Sequence, residues 1–349
     1  MRGAAFNTGP EFHALDHIAP LAECLNIPLI VTEEKNEELA RRYYPQVSVR
    51  LMENLELRLG EIAREFDILF ECKYWAPHLK SLFRTLYSKE MKLVFCPHGQ
   101  SDKGYQAPLL DPYASQDAIL VYGELLIQML KELAIWPSIN QFAKVGNYRL
   151  QFYRKHQTFY DDLAAKEVPL DQKKRTLLYA PTWRDADSAT SFFQWAPKVI
   201  AQLPSDWNLI LKLHPLLEQR DPAYFYSIAS LADRKKNVFL VDAFPPVYPL
   251  LSLADVYLGD ASSIGYDFLY FKKPFYFFPT APKGRLYSCG RAIDPEKNIY
   301  SQFDQGNPFE KEQASLYQYA FGPEITEEEL RRKISSFLKG EPQLVRESN

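Results

Sequence analysis

The chain has no apolar run that approaches the roughly 20 residues of a membrane-spanning helix. Its opening, MRGAAFNTGPEFHALDH, lacks an apolar core of signal-peptide length. Both absences argue against a spanning or exported protein. A cytoplasmic chain is expected, with peripheral contact at the inner membrane face left open to surface aromatics and lysines. Cysteine is sparse: Cys24, Cys72, Cys96 and Cys289 lie far apart and form no CxxC pair. They read as reduced, mostly buried thiols. Neither sign of charge dominates, with 41 Lys and Arg against 44 Asp and Glu for a net charge of −3. That balance excludes a nucleic-acid binder held by bulk electrostatics, so any phosphate chemistry must come from local basic residues. Glycine is scarce beside proline, 14 against 25, and no repeat or low-complexity segment is visible. A rigid scaffold is implied rather than a flexible or repetitive chain.

What is present is globular. Hydrophobic residues make up 46% and aromatics 14%, and 349 residues suffice for two domains that each bury a core. Near the start, AAFNTGPEFHALDHIAPLAECLNIPLIV reads as a strand or loop, a helix, and a strand ending near Val31. His13 and His17 share a helix face at i and i+4. The zinc-protease pattern needs Glu directly after the first His, and Ala14 stands there, so a substrate-facing or surface histidine pair is expected rather than a metal site. Residues 53–66 follow a helical pattern, FDILFECK (Phe66 to Lys73) a strand, and YWAPHLKSLFRTLYS a helix. KLVFCPHGQSDKG (Lys92 to Gly104) runs an apolar strand into a loop carrying His98, Gly99, Ser101, Asp102 and Lys103. AILVYGELLIQMLKELA is again strand then helix, and FAKVGNYRL a short strand leading to Gly146 and Arg149. The alternation predicts a mostly parallel sheet covered on both faces, with ligands bound beyond the carboxyl ends of its strands.

The polar segment FYRKHQTFYDDLAAKEVPLDQKKR has no strand character and holds a domain boundary within residues 150–172, dividing the chain into 1–160 and 161–349. The same alternation then restarts. TLLYAPTWRD ends in a proline loop with Thr182, Trp183 and Arg184, and WNLILKLHP ends at Lys212 and His214. Lys212 stands two residues before His214, on the same strand face but deeper in the sheet, and reads as structural. DVYLGDASSIGYDFLYFKKPFYFFP (Asp255 to Pro279) reads as strand, loop, helix, strand, with Ser262 and Ser263 at the helix start. There hydroxyls and unpaired backbone N–H groups would attract an anion, or Ser262 would simply cap the helix. Asp267 follows Ser263 one helical turn later on the same face. Asp185 and Asp187 spell DxD, a metal-binding signature in another glycosyltransferase architecture, but no supporting pattern accompanies them and no protein-bound metal or cofactor is expected. The tail EITEEELRRKISSFLKGEP signals a helix, with Thr326 and Glu329 as a capping box and Gly340 as the stop.

Three loops of the second half, bearing Arg184, His214 and Ser262 with Ser263, should converge at one edge of a sheet. The first half contributes His98, Lys103 and Arg149. An α/β chain of two Rossmann-like domains, with mostly parallel sheets facing across a cleft, is the GT-B architecture, and the order of elements suits it. The motifs themselves, HGQSDK at His98 to Lys103, APTWRD at Ala180 to Asp185, KLHP at Lys212 to Pro215 and DASSIGYDFLYFKKPFYFF at Asp260 to Phe278, resemble the CDP-glycerol glycerophosphotransferase family of teichoic acid polymerases and primases. That family shows HGTxxK, PTWR, a basic residue before His-Pro, and DYSSxxxDF followed by Lys or Arg, Pro and an aromatic strand. Here Gln100 replaces the Thr and Ala261 the Tyr, and Asn147 with Tyr148 stands where Gly-Tyr-Pro is frequent.

The resemblance implies a chain without cofactor that binds CDP-glycerol or a related CDP-alditol. A polyol-phosphate, glycan or lipid-linked acceptor hydroxyl would attack the β-phosphorus and release CMP. The first domain would face the acceptor and the second the nucleotide donor. His98 would be the base, with His214 as the second catalytic residue beside the diphosphate. Gly99, Lys103, Arg149, Thr182, Arg184, Ser262, Ser263 and Asp267 would hold the donor. Phosphoryl transfer spreads negative charge over equatorial oxygens, so cations and helix-start N–H groups stabilise it, and guanidinium forks suit phosphate best. Two other readings stay open on the residues: a GT-B glycosyltransferase or epimerase acting on a nucleotide sugar, and a non-catalytic nucleotide-binding relative.

Overall fold

The computed structural model describes residues 2–76, 78–101, 111–183, 190–279 and 284–338. The chain divides into two compact units, one of residues 1–98, 105–152 and 321–349, the other of 99–104 and 153–320.

In the first unit, β1 (Gly3–Asn7), β2 (Leu29–Val31), β3 (Val49–Leu51), β4 (Ile68–Glu71), β5 (Lys92–Phe95), β6 (Ala118–Val121) and β7 (Phe142–Lys144) form a parallel sheet in the order β3-β2-β1-β4-β5-β6-β7. Parallel neighbours require helical crossovers, which cover both faces, so the strands are apolar runs rather than alternating ones. On one face Ala4, Phe6, Leu69 and Leu93 lie under Ile62 and Phe83, from helices Leu59–Glu65 and Leu79–Tyr87. Phe95, Ile119 and Val121 continue it under Leu126, Ile127 and Leu130 of helix Glu124–Glu132. The register sets Ala5, Phe70, Val94 and Ala118 side by side on the opposite face. The period of two then carries Asn7, Cys72, Cys96 and Tyr122 along that face at and beyond the strand ends. β3 was not anticipated: three half-buried residues at a sheet edge leave too little pattern to read.

In the second unit, β8 (Arg175–Ala180), β9 (Trp207–Leu211), β10 (Val238–Leu240), β11 (Val256–Gly259), β12 (Phe275–Phe277) and β13 (Arg291–Ala292) are also parallel, in the order β10-β9-β8-β11-β12-β13. Leu177, Tyr179, Leu209, Leu211, Val256 and Leu258 pack under Phe192, Ala196, Val199 and Phe225 of helices Phe192–Ala201 and Pro222–Asp233. The aromatic run Phe275 to Phe278 is core throughout, no member exceeding 3% exposure.

The units are not two continuous stretches of chain. The segment without strand character forms helices Tyr148–Lys155 and Gln157–Glu167, and the division falls between Phe152 and Tyr153. The tail helix Glu327–Leu338, expected with the second domain, belongs to the first unit. The Arg331 guanidinium donates to the Cys24 carbonyl, and Phe321 meets Tyr122 edge-on at 5.5 Å. Its start carries the capping bond read from sequence, Glu329 N–H to Thr326 Oγ1 at 3.1 Å.

Candidate functional site

In both sheets the strand order reverses, between β1 and β4 and between β8 and β11, where open parallel sheets hold ligands beyond the carboxyl ends of their strands. In the second unit β9, β8 and β11 are neighbours, so the loops bearing His214, Thr182 and Ser262 leave adjacent strands on one sheet edge. Asp260, 1% exposed, ties two of them together. Its carboxylate accepts the Thr182 N–H at 2.8 Å and the Ser191 N–H at 3.1 Å. Thr190 Oγ1 donates to the Thr182 carbonyl at 2.5 Å, so the loop after β8 is closed on itself as well as on β11.

His214 is the N-cap of helix Pro215–Arg220, and its Nδ1 accepts the Leu216 N–H at 3.2 Å. A ring nitrogen that accepts carries no proton, so the neutral tautomer places hydrogen on Nε2. Trp183 lies 6.1 Å from this ring, with the Arg220 guanidinium 4.4 Å over the indole. Ser262 is the N-cap of helix Ser263–Phe268 in an extended conformation, yet its hydroxyl makes no capping bond. Its Oγ is 3.5 Å from Tyr257 Oη, so the simple cap is not what this serine does. Asp267 is 2% exposed and accepts the Tyr248 hydroxyl at 2.7 Å. Lys212 takes the structural role its depth indicated, donating to the Phe244 carbonyl at 2.9 Å. Lys273 caps helix Tyr248–Leu253 by donating to the carbonyls of Ser252 at 3.0 Å and Ala254 at 2.6 Å, and burial lowers its pKa.

In the first unit His98 follows β5 through Cys96 and Pro97, and Gly99 after it has a φ of 128°, a conformation that favours glycine. The His98 side chain reaches solvent. Even so, loss of hydration lowers its pKa from the ordinary imidazole value, partly opposed by a hydrogen bond with the Cys72 backbone. His17, in helix Leu15–Leu25, is 7% exposed rather than at the surface. Burial first, then the charges of Arg149, His98 and His13, hold its pKa well below the usual range.

Arg149, expected at the diphosphate, is 3% exposed and committed to Asp16. Its Nε lies 3.1 Å from both the Asp16 carbonyl and Oδ2, and Tyr44 Oη donates to Asp16 Oδ1 at 3.1 Å. At the end of β4, Glu71 Oε1 accepts the Thr8 N–H at 3.2 Å and the Thr8 hydroxyl, and burial pushes its carboxyl up to about 7. Lys73 meets Glu11 at 2.5 Å. Lys103, Arg184 and the Asp185 and Asp187 pair lie outside the described residues.

Tyr122, Asp16 and Glu71 are not among the residues singled out from the sequence. Tyr122 had a signal, the period of two from Ala118 that carries it onto the histidine-bearing face; Asp16 and Glu71 had none.

The fold and these strand-end loops define a two-unit α/β protein of the GT-B kind. It is similar in fold to the wall teichoic acid polymerase TagF, with a TM-score of 0.64 at 14% identity over 97% of this chain and 88% of that one. The UDP-GlcNAc 2-epimerase from Neisseria meningitidis shares the fold at a TM-score of 0.59, 14% identity, and coverage of 97% of this chain and 99% of that one. Residues 100–292 match the family described as CDP-Glycerol:Poly(glycerophosphate) glycerophosphotransferase, and the chain belongs to that family. Among curated relatives, the teichoic acid glycerol-phosphate primase of Bacillus spizizenii is 26% identical over 172 residues, 48% of this chain and 41% of that protein. The teichoic acid ribitol-phosphate polymerase TarL of Staphylococcus aureus is 30% identical over 118 residues, 32% of this chain and 20% of that protein. The matches thus span less than half the length of these relatives. No helix among the described residues is long and apolar enough to cross a membrane.

Proposed function

We propose that this chain moves a glycerol-phosphate-like group from a CDP-activated alditol to an acceptor hydroxyl and releases CMP. The supporting observation is that the family match runs through three loops on adjacent parallel strands, those of Thr182, His214 and Asp260 to Ser263. In this reading the acceptor oxygen attacks the β-phosphorus, the bond from that phosphorus to the bridging oxygen breaks, and CMP leaves with the bridging oxygen. The acceptor proton passes to His98. A lowered pKa keeps that imidazole neutral near pH 7 and so able to take the proton. His214 serves as an Nε2–H donor to a phosphate oxygen, because its Nδ1 is held by Leu216. Gly99 lets the backbone approach the substrate, and Thr182, Ser262, Ser263 and the helix-start N–H groups supply neutral donors. Lys103 and Arg184 would add the cationic charge that such a transfer needs. Asp267 orders the donor wall through Tyr248, and Arg149 acts indirectly, holding helix Leu15–Leu25 through Asp16.

The acceptor is a polyol-phosphate, glycan or lipid-linked alcohol. A lipid-linked one would bring the protein to a membrane surface through Leu57, Leu86 and Tyr87, large apolar side chains that are 84%, 61% and 41% exposed. Vesicle co-sedimentation of the protein and of a Leu57→Ser, Leu86→Ser variant tests that contact.

Thermal-shift measurement against CDP-glycerol, CDP-ribitol, CMP, UDP and GDP tests the donor. A ligand at a hundredfold excess over its Kd adds about 2.7 kcal/mol. The cytidine compounds should raise the melting temperature; a shift by UDP or GDP alone would refute the reading.

A further inference from the structure

A chain of polar contacts runs behind His98 through residues to which the transfer reaction gives no part. His17 Nδ1 lies 3.1 Å from Tyr122 Oη, and Tyr122 Oη lies 3.5 Å from the carbonyl of Pro97, the residue bonded to His98. Cys72 Sγ faces the same carbonyl at 3.8 Å. One assignment uses each hydrogen once: His17 Nδ1–H donates to the Tyr122 oxygen, and the Tyr122 hydroxyl donates to the Pro97 carbonyl. His17 is itself held, since Tyr148 Oη donates to its backbone carbonyl at 2.9 Å, and Tyr148 stacks on Tyr122 at 5.7 Å with 26° between the rings. Tyr122 is 1% exposed and Tyr148 2%. A buried hydroxyl between two partners has few orientations open to it, and this one sits against the peptide that precedes His98. That peptide sets where the His98 side chain begins. The first helix and the ends of β5 and β6 are thereby joined at one carbonyl.

We propose that Tyr122 and His17 are positioning residues for His98, acting through the Pro97 carbonyl to aim its imidazole at the acceptor hydroxyl. The proposal rests on the reading of His98 as the base. Misplacing a base by a fraction of an ångström lowers the rate of proton transfer without disturbing donor contacts made elsewhere. The expected signature is therefore a fall in kcat with the KM for the donor unchanged.

The test measures CMP release from CDP-glycerol with an oligo(glycerol phosphate) acceptor, in wild type, Tyr122→Phe, His98→Ala and the double variant. Tyr122→Phe should lower kcat about tenfold at unchanged donor KM, and should cost nothing further in the His98→Ala background. Losses that multiply in the double variant, or a Tyr122→Phe kcat within twofold of wild type, overturn the proposal while leaving the base reading intact. Undiminished turnover by His98→Ala overturns the base reading, and the proposal with it. A second pair decides the matter if Tyr122→Phe does not fold. His17→Asn keeps an N–H near the Nδ1 position and should retain kcat, whereas His17→Leu should lose it by the tenfold factor. Equal activities of those two variants contradict the proposal.

Discussion

Replacing Glu71 with glutamine isolates one buried acid and turns its environment into a measurable pH dependence. The side chain is 4% exposed at the end of β4, and burial outweighs its hydrogen bonds from Thr8 and the charge of Lys73, pushing the carboxyl from 4.5 up to about 7. Between those two values the native carboxyl keeps its proton while the unfolded one has lost it. The native state then binds more protons, so this group makes stability fall as pH rises from about 4.5 to about 7, and level off above. At about 1.4 kcal/mol per pH unit across that interval, the loss is about 3 kcal/mol. Glutamine keeps an oxygen to accept the Thr8 N–H and hydroxyl but has nothing to ionise. Denaturant unfolding of both proteins at pH 4.5 and pH 8, read on the transition of the first unit, should show Glu71→Gln gaining about 3 kcal/mol on wild type between the two conditions. Titrating groups that do not interact with Glu71 cancel in that difference. A constant offset between the proteins at both pH values would refute the reasoning.

Other perturbations probe the remaining strand-end structure. Arg149→Met leaves Asp16 buried without its cation and should cost about 3–5 kcal/mol, while adding Asp16→Leu should recover much of that loss; unfolding curves of the three proteins check it. Asp260→Ala leaves the Thr182 and Ser191 N–H groups without their acceptor. About 2–4 kcal/mol of stability should go, and CDP-glycerol should bind more weakly by calorimetry. Gly290→Ala would set a Cβ 2.3 Å from the Phe275 carbonyl oxygen, a backbone atom that cannot swing aside. A loss of about 1–3 kcal/mol is expected, seen as a lowered Tm.

Much of the fold was legible because each buried strand is a continuous apolar run that stops at a chemically marked residue. Leu211 gives way to Lys212 and His214, Gly259 to Asp260, and Phe95 to Pro97 and His98, so strand ends and candidate ligand loops were marked together. β3 and β13 were not legible, being three and two residues long at sheet edges where few neighbours impose a pattern. The tail's place in the first unit was not legible for a tertiary reason, since nothing local in the tail tells Arg331 to reach Cys24. The same holds for the polar network of the first unit. His17 and Tyr122 are 105 residues apart, and Arg149 and Asp16 are 133 apart. A basic residue near a phosphate motif and one neutralising a buried aspartate look alike in sequence; only the fold brings Asp16 to Arg149.

Whether this chain turns over a CDP-alditol with His98 as its base is decided by CMP release from CDP-glycerol in the presence of a glycerol-phosphate acceptor. Wild-type protein should release CMP in step with acceptor extension, and His98→Ala should bind the donor with unchanged affinity but turn it over at least a hundredfold more slowly. CMP release at the wild-type rate from His98→Ala, or none from wild type with donor bound, would contradict this reading.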